Sequence, residues 1–270
     1  MNSTERRMLD MLKKGRDRFG FVAVKAEFEA EGTRRDELQR LVELAYRADL
    51  KLALKIGGCE AVSDLHASCL YGADYIIAPM VETPYALTKF VDAKTKVYGE
   101  EREGVDFLFN LETDATLANL DAMLPIAGAS LDGIVFGRVD FTLSRGLPRG
   151  AINEREITDA VLTAAHACAA NGLELVVGGS VAAEAAPVLR EIRRVRLDRF
   201  ETRKIVFDGA VAELADFEAG IAHAVAFELA WLENKRAYYG GIADEDLARI
   251  RMMQERRANA ARGRLASVAA

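Results

Sequence analysis

The sequence predicts an α/β fold, a (β/α)8 barrel of the TIM type with one irregular or missing strand and extended C-terminal helices. Short apolar segments alternate with amphipathic helical patterns along most of the 270 residues. Most of these segments are continuously hydrophobic, as expected for strands of a parallel sheet that is covered on both faces. A series of seven such units is more typical of a barrel than of a doubly wound sheet.

The predicted strands are one fewer than a complete barrel requires. The eighth strand is therefore either hidden near the N-terminus or absent, and the sequence alone leaves both alternatives open. The seven predicted strands cover residues 20–28, 51–58, 74–80, 105–112, 132–140, 173–180 and 199–207.

Amphipathic helices are predicted between these strands. The helix after the first strand is expected to begin at Thr33 as its N-cap, and it places Leu38, Leu41 and Leu44 on one face. A second clear helical pattern, residues 153–172, ends in Asn-Gly, which is a typical C-terminal stop.

The chain is predicted to consist of a barrel with a helical segment at each end. The C-terminal extension is longer than one barrel helix requires, so we expect it to pack on another subunit of a homo-oligomer. The predicted divisions are an N-terminal helix at 1–18, the barrel at 19–212, the helical extension at 213–262 and a disordered tail at 263–270.

Composition predicts a cytoplasmic protein without a nucleic-acid or membrane partner. The formal net charge of -6 and the pI of about 5.3 disfavour binding to polyanionic surfaces. Three scattered cysteines are too few for a disulfide framework and fit a reducing compartment. The chain opens without a signal-peptide pattern, and no apolar segment approaches the ~18–20 residues that span a bilayer.

Charged and glycine-rich residues follow the predicted strands, at the end where barrels place their active sites. A barrel with a purely structural role is not expected to concentrate so many charges there. The candidate site residues are Lys25, Glu27, Glu29, Lys55, Asn110, Glu112, Arg138, Asp140, Ser180, Arg203 and Lys204.

Glu112 and Asp140 form the most specific pair among these candidates. Two hard oxygen ligands from adjacent strands suit Mg²⁺ or Mn²⁺, with water and substrate completing the coordination. The alternative is that Glu112 caps the following helix and that Asp140 pairs with Arg138. Spacing alone leaves both alternatives open.

Two segments resemble the paired signature of the HpcH/HpaI aldolase and citrate lyase family, within the phosphoenolpyruvate/pyruvate-domain superfamily. In "FNLETDATLANLDAML" (109–124) an apolar strand ends in a glutamate followed by threonine, and "LDGIVFGRVDFTLSRG" (131–146) delivers a Gly-x-x-Asp motif. "YIIAPMVETPYAL" (75–87) is similar to the family's preceding strand and its Pro-Met turn. The resemblance implies a divergent member in which Glu112 and Asp140 hold a divalent ion, and in which pyruvate or a related 2-oxo acid reacts through its enolate.

The resemblance also implies roles for neighbouring residues. Lys55 stands where family members commonly have an arginine that stabilises the developing negative charge; its alternative is a structural ion pair with Glu27 or Glu29. The histidine that serves many family aldolases as the base is missing from "KAEFEAEGTRRD" (25–36). Glu27 or Glu29, with a pKa raised by burial, is therefore the predicted base.

Arg138 replaces a residue that is usually small in the family. It is predicted to act in catalysis, either by anchoring a substrate carboxylate or phosphate or by neutralising Asp140 in place of the metal. The remaining candidates are predicted to bind substrate: Lys25, Glu29, Asn110, Ser180, Arg203 and Lys204.

The favoured function is thus a metal-dependent carbon–carbon lyase or aldolase. One alternative is a Schiff-base aldolase that uses Lys55, Lys25 or Lys204, which requires a lysine of depressed pKa. The other is a catalytically inactive barrel that serves as a binding or assembly subunit, which the missing histidine and Arg138 favour.

Overall fold

The computed structural model describes residues 1–99 and 104–268, with side chains described as far as residue 260. Eight strands close into a barrel in chain order, which confirms the predicted fold class. The strands are β1 Phe21–Glu27, β2 Lys51–Lys55, β3 Tyr75–Ala78, β4 Asp106–Leu111, β5 Gly133–Gly137, β6 Glu174–Gly178, β7 Arg199–Glu201 and β8 Ile205–Asp208.

The irregular strand is the eighth, and it was concealed inside the predicted seventh. Residues 199–207 form a tight hairpin of β7 and β8, closed where the Thr202 N–H donates to the Ile205 carbonyl at 2.9 Å. Strand β8 runs antiparallel to both β7 and β1, whereas the other neighbouring strands pair in parallel. The prediction of a strand hidden near the N-terminus, or absent, is therefore wrong.

Helices fill most connections between the parallel strands. The helix predicted to begin at an N-cap Thr33 has Arg34 in that position, and the Arg34 N–H donates to the Glu37 carboxylate at 3.3 Å. The predicted stop at Gly172 is confirmed by its left-handed φ of 68°. The α-helices are α1 Ser3–Phe19, α2 Arg35–Ala48, α3 Val62–Tyr71, α4 Pro84–Tyr98, α5 Asp114–Ala118, α6 Leu120–Ser130, α7 Arg138–Ser144, α8 Arg155–Asn171, α9 Ala186–Arg193 and α10 Phe217–Val268.

An apolar cluster, called the apolar layer below, fills the interior of the barrel. Because strand side chains alternate in direction, the residue two positions further along a strand points inward again, one layer closer to its C-terminal end. Lys25, Lys55 and Asn110 each lie two positions after a member of the apolar layer, so the sequence pattern itself places them above it. The layer consists of Ala23, Ala53, Tyr75, Ile77, Leu108, Val135, Val176 and Val206.

The chain divides into two compact units, Met1–Glu228 and Leu229–Ala270. The first contains the barrel and the beginning of α10. In the second, α10 continues to Val268 and most of its described side chains are exposed. The predicted domain boundaries and homo-oligomer stay predictions, and residues 269–270 of the predicted disordered tail lie outside the described residues. Among the described helices, none combines the length and the apolar character needed to cross a membrane.

Candidate active site

A cavity of about 530 Å³ opens at the C-terminal end of the barrel, above the apolar layer. It gathers residues from the ends of most strands, as the sequence predicted. Two candidates, Arg138 and Lys204, do not line its wall. The candidates that do are Lys25, Glu27, Glu29, Lys55, Asn110, Glu112, Asp140, Ser180 and Arg203.

Charge on the cavity wall is unbalanced in favour of acids. Six carboxylates line it against four basic side chains, so the cavity attracts cations. The acids are Glu27, Glu29, Glu112, Asp140, Glu201 and Glu228, and the bases are Lys25, Lys55, Arg149 and Arg203.

Glu112 lies directly after β4 and is only 1% exposed. One carboxylate oxygen, Oε1, accepts the Met80 N–H at 2.9 Å. The other, Oε2, accepts from Asn110 Nδ2 at 2.6 Å and lies 3.3 Å from Lys55 Nζ. The alternative that Glu112 caps the following helix is wrong, because Thr113 is the N-cap of α5 and accepts the Thr116 N–H.

Close packing holds the Glu112 side chain in place. A Cβ on Gly137, the last residue of β5, would come within 2.8 Å of Glu112 Cβ and 3.0 Å of its Oε2. Met80 adopts a left-handed φ of 49°, which is unusual for a residue with a side chain. Its strained backbone aims the N–H at Glu112, so both neighbouring strands contribute to the position of this carboxylate.

Asp140 lies in the first turn of α7 and its exposed side chain faces the cavity. Within the described part of the chain, its carboxylate has no hydrogen-bond or ion-pair partner. The alternative in which Asp140 pairs with Arg138 is therefore wrong. A second oxygen on the cavity wall is also unsatisfied, since the buried Asn110 Oδ1 accepts no hydrogen bond from the described residues.

These donors fit a hard divalent cation. Glu112 and Asp140 supply carboxylate oxygens, and Asn110, whose Nδ2 contacts Glu112, supplies an amide oxygen that has no partner within the described residues. No group of three or more acidic, histidine or cysteine side chains that could hold a metal occurs among the described residues. Water and substrate would have to complete the coordination, which is the usual arrangement for Mg²⁺.

Lys55, at the end of β2, bridges two carboxylates. Its Nζ lies 3.0 Å from Glu29 Oε2 and 3.3 Å from Glu112 Oε2. Burial opposes the charge of the ammonium group, but the attraction of Glu112 and Glu29 prevails and raises the Lys55 pKa. Lys55 is therefore a fixed positive charge beside the candidate metal ligands.

Lys25, Glu27 and Glu201 form a separate buried cluster in the cavity. Lys25 Nζ lies 3.0 Å from Glu27 Oε1 and contacts Glu201. Although burial opposes its charge, the attraction of Glu201 and then Glu27 raises the Lys25 pKa. For Glu27, burial acts to raise the pKa, but the nearby Lys25 outweighs it and the pKa is lowered. The prediction of a Glu27 pKa raised by burial is therefore wrong.

Arg138 is fully buried and lies outside the cavity wall. Its guanidinium donates to the Gly178 carbonyl at 3.2 Å, to the Gly179 carbonyl at 2.9 Å and to Asn153 Oδ1 at 2.8 Å. Burial lowers its pKa to about 10, and no acid pairs with it among the described residues. The predicted contacts of Arg138 with Asp140 or with substrate are thus replaced by contacts with two backbone carbonyls and the Asn153 side chain.

The two basic residues predicted at the β7–β8 turn lie in different environments. Lys204 is buried and ion-paired with Glu31, away from the cavity, so a direct contact with substrate is not supported. Arg203 lines the cavity mouth with its side chain about half exposed, 3.5 Å from Glu31.

Sequence reasoning missed Glu228 on α10 and two further contributors to the cavity. One is the Met80 N–H, which only a backbone conformation reveals. The other is Arg149, which begins a short 3-10 helix, Arg149–Asn153, and donates to Ser180 Oγ at 2.9 Å. The signal was the Pro- and Gly-rich loop "RGLPRG" after β5, because loops at this end of a barrel supply site residues.

Comparison with known proteins identifies the group to which this barrel belongs. The sequence model of the HpcH/HpaI aldolase/citrate lyase family matches residues 31–194, more than half of the chain. The chain belongs to the HpcH/HpaI aldolase/citrate lyase family. The matched span contains Glu112 and Asp140 and confirms the resemblance seen in the sequence, and members of this family generally depend on a divalent metal.

Solved structures of this family share the fold at low sequence identity. The HpcH/HpaI aldolase from Desulfitobacterium hafniense DCB-2 is 14% identical with a TM-score of 0.57, over 70% of this chain and 80% of that one. An HpcH/HpaI aldolase/citrate lyase family protein from Burkholderia cenocepacia J2315 is 18% identical with a TM-score of 0.54, over 73% and 91%. None of the curated proteins is similar enough in sequence to count as a match.

Proposed function

We propose that this protein is a divalent-metal-dependent lyase or aldolase that makes or breaks a carbon–carbon bond next to pyruvate or a related 2-oxo acid. One observation carries the proposal: Glu112 and Asp140 line the same acid-rich cavity as Asn110, whose side-chain oxygen has no hydrogen-bond partner among the described residues. Membership of an aldolase and citrate lyase family supports the reaction class.

Glu112 and Asp140 would hold the metal, Mg²⁺ or Mn²⁺. When bound, such an ion supplies a Lewis acid that stabilises negative charge on the oxygen of the 2-oxo group. The chain's own contribution is a shaped, acid-rich cavity with an apolar floor formed by Ile77 and Val135. This floor excludes water from below, which strengthens electrostatic interactions above it.

Lys55 supplies the positive charge for the reacting substrate. Its pKa is raised, so the ammonium group stays protonated throughout the neutral range. A substrate oxygen bound near Glu112 would lie close to this group, which favours the enolate over the keto form of the 2-oxo acid. Lys55 acts as a point charge, where an arginine would offer a bidentate fork.

Glu29 is the carboxylate best placed to accept a proton. Its buried Oε2 lies 3.0 Å from Lys55 Nζ, and its side chain lines the cavity. In the cleavage direction the carbon–carbon bond breaks, its electron pair remains on the pyruvate fragment, and the hydroxyl proton of the departing fragment moves to the carboxylate. Glu27 is less suited because its pKa is lowered by the neighbouring Lys25, which makes it a weaker base.

The Schiff-base alternative receives no support from the lysines. Lys25 and Lys55 line the cavity, but their pKa values are raised, so neither has the free amine that the mechanism needs. Burial lowers the pKa of Lys204, yet this residue contacts Glu31 and does not line the cavity.

The proposal is tested by metal binding and by exchange of the pyruvate methyl protons in deuterated water. We expect Glu112→Gln and Asp140→Asn to abolish Mn²⁺ binding in a calorimetric titration and to abolish exchange, as chelation does in the wild type. Asp121→Asn, an exposed change on α6, is the matched control and should preserve both. Turnover that survives chelation or either site variant would refute the proposal, and a wild type that binds neither Mn²⁺ nor pyruvate would favour an inactive binding subunit.

A further inference from the structure

We infer that Lys204 is a positioning residue, which fixes the loop between β1 and α2 through Glu31 and thereby holds the Glu29 carboxylate in the cavity. This inference rests on the proposed function, in which Glu29 accepts the proton. It gives a role to a buried ion pair that neither the metal ligands nor Lys55 explains.

The loop of residues 28–34 connects the end of β1 to the start of α2, and backbone hydrogen bonds close its base. The Phe28 N–H donates to the Lys55 carbonyl at 2.9 Å, and the Thr33 N–H donates to the Glu27 carbonyl at 3.1 Å. The residues between these two bonds form the tip of the loop. Backbone contacts thus fix where the loop begins and ends, and side chains hold its tip.

Two carboxylates of the tip lie in different places. Glu29 lines the cavity, with its Oε2 3.0 Å from Lys55 Nζ. Glu31 lies outside the cavity wall, and its Oε2 contacts Lys204 Nζ. The Thr33 hydroxyl also donates to Glu31 Oε2 at 3.4 Å. The tip is therefore held between β2 on one side and the β7–β8 turn on the other.

Lys204 provides a fixed point for this contact. Its carbonyl accepts the Lys25 N–H at 2.8 Å, which ties the backbone of the turn to β1. The residue is only 3% exposed, so its side chain has little freedom to move. The neighbouring Arg203 lies 3.5 Å from Glu31, but its side chain is about half exposed and solvent screens its charge. Lys204 is therefore the main partner of Glu31 at this turn.

The ion pair between Lys204 and Glu31 is better explained by geometry than by stability. Burial lowers the pKa of Lys204, although the attraction of Glu31 opposes this shift, so the protein holds the ammonium group where its charge is disfavoured. A buried ion pair adds little stability compared with well-packed apolar side chains of similar volume. What the pair does provide is a defined distance between the tip of the loop and the β7–β8 turn.

Proton transfer depends closely on the position of the base. When pyruvate exchanges its methyl protons, a C–H bond breaks, its electron pair enters the enolate and the proton moves to the Glu29 carboxylate. A displacement of about 1 Å in such a group can slow the reaction by about 10²-fold. Loss of the contact at Glu31 frees the tip that carries Glu29, so we expect it to slow proton transfer while leaving the metal ligands in place.

The first test measures exchange of the pyruvate methyl protons in deuterated water at saturating Mn²⁺. We expect Lys204→Met to lower the kcat of exchange by about 10–100-fold, with KM and Mn²⁺ affinity close to those of the wild type. Glu31→Gln keeps a neutral acceptor for Lys204 and should lose less. The matched control is Lys94→Met, which removes another buried lysine, outside the cavity, that donates to the Ser130 carbonyl. It should exchange at the wild-type rate.

A double variant shows whether Lys204 acts through Glu29. In the Glu29→Gln background, adding Lys204→Met should change the residual exchange by about twofold at most. A further loss as large as in the single variant would indicate a general structural role and overturn the inference, as would wild-type exchange in Lys204→Met or Glu29→Gln. Should Lys204→Met not fold, Glu31→Gln takes its place in both measurements. A wild type that exchanges no protons would show instead that the proposed function has failed.

Discussion

The two ends of the barrel use charged residues in different ways. At the N-terminal end, the first residues of strands β2, β3, β6 and β7 are Lys51, Tyr75, Glu174 and Arg199. The Tyr75 ring lies 3.9 Å from Arg199 Cζ and 4.8 Å from Lys51 Nζ, and Arg199 pairs with Glu174. The charged groups at this end of the barrel therefore have partners within the protein.

At the C-terminal end, the charges do not cancel. Acids outnumber bases around an open cavity, and among the described residues Asp140 has no partner and the buried side-chain oxygen Asn110 Oδ1 has no donor. Unsatisfied polar groups are unfavourable in the absence of a ligand. The comparison shows that the presence of charge does not identify a site, whereas charge left uncompensated beside a cavity does.

The largest effect is expected at the two lysines of β2, Lys51 and Lys55. Lys55→Met should reduce turnover about 10²–10³-fold, because it removes the fixed positive charge from the site. Lys51→Met should leave turnover unchanged and lower the free energy of unfolding by about 0.5–1 kcal/mol, through loss of its contact with the Tyr75 ring. Steady-state kinetics and urea unfolding of both variants provide the measurement. Equal losses of turnover in the two variants would contradict the difference between the two ends of the barrel.

An effect of intermediate size is expected at two glycines of β5. Gly137→Ala should weaken Mn²⁺ binding about 10–100-fold, because its Cβ would displace the Glu112 side chain. Gly133→Ala should instead lower the free energy of unfolding by about 1–3 kcal/mol, since its Cβ would lie 2.7 Å from the Glu174 carbonyl oxygen. Calorimetric titration of Mn²⁺ and denaturant unfolding separate the two outcomes. Unchanged affinity in Gly137→Ala would show that Glu112 does not bind the ion.

The smallest effect concerns the pH dependence of stability at the two ends. The pKa of Glu27 is lowered on folding. Its contribution to the free energy of unfolding is therefore present above the unfolded pKa of about 4.5 and is lost as pH falls through the folded pKa. Burial raises the pKa of Glu174 despite its pairing with Arg199, so its contribution is present below about 4.5 and is lost as pH rises through the folded value.

Urea unfolding of the wild type, Glu27→Gln and Glu174→Gln between about pH 3 and 7 measures this difference. On acidification, the stability advantage of the wild type over Glu27→Gln should shrink, and its advantage over Glu174→Gln should grow. Changes of the same sign for both variants would show that the two carboxylates share one kind of environment.

The sequence predicted those features of the fold and the site that depend on short-range periodicity. Alternation along the strands places Lys25, Lys55 and Asn110 above the apolar layer, and the polar strand ends mark the cavity. The hairpin at residues 199–207 was missed because β7 has only three residues, and its charged turn reads as part of one strand.

Features that depend on distant contacts were not predictable from the sequence. Lys25 on β1 sets the sign of the Glu27 pKa shift. Lys25 itself contacts Glu201 on β7, which is distant in the sequence. The partners of Arg138 include two carbonyls some 40 residues away. Every residue has a backbone carbonyl, so the sequence does not reveal such a partner. The sequence pattern therefore favoured an acid as the partner of Arg138.

The reversed eighth strand changes what forms the rim of the cavity. Because β8 runs against its neighbours, the chain returns to the N-terminal end of the barrel before α10 begins, and residues 217–228 of that helix belong to the same compact unit as the barrel. Val225 and Glu228 consequently reach the cavity from a helix, where a regular barrel would offer only a loop. This sector of the entrance is helical, so substitutions on its surface should change the access of substrates by size without disturbing the proposed metal ligands.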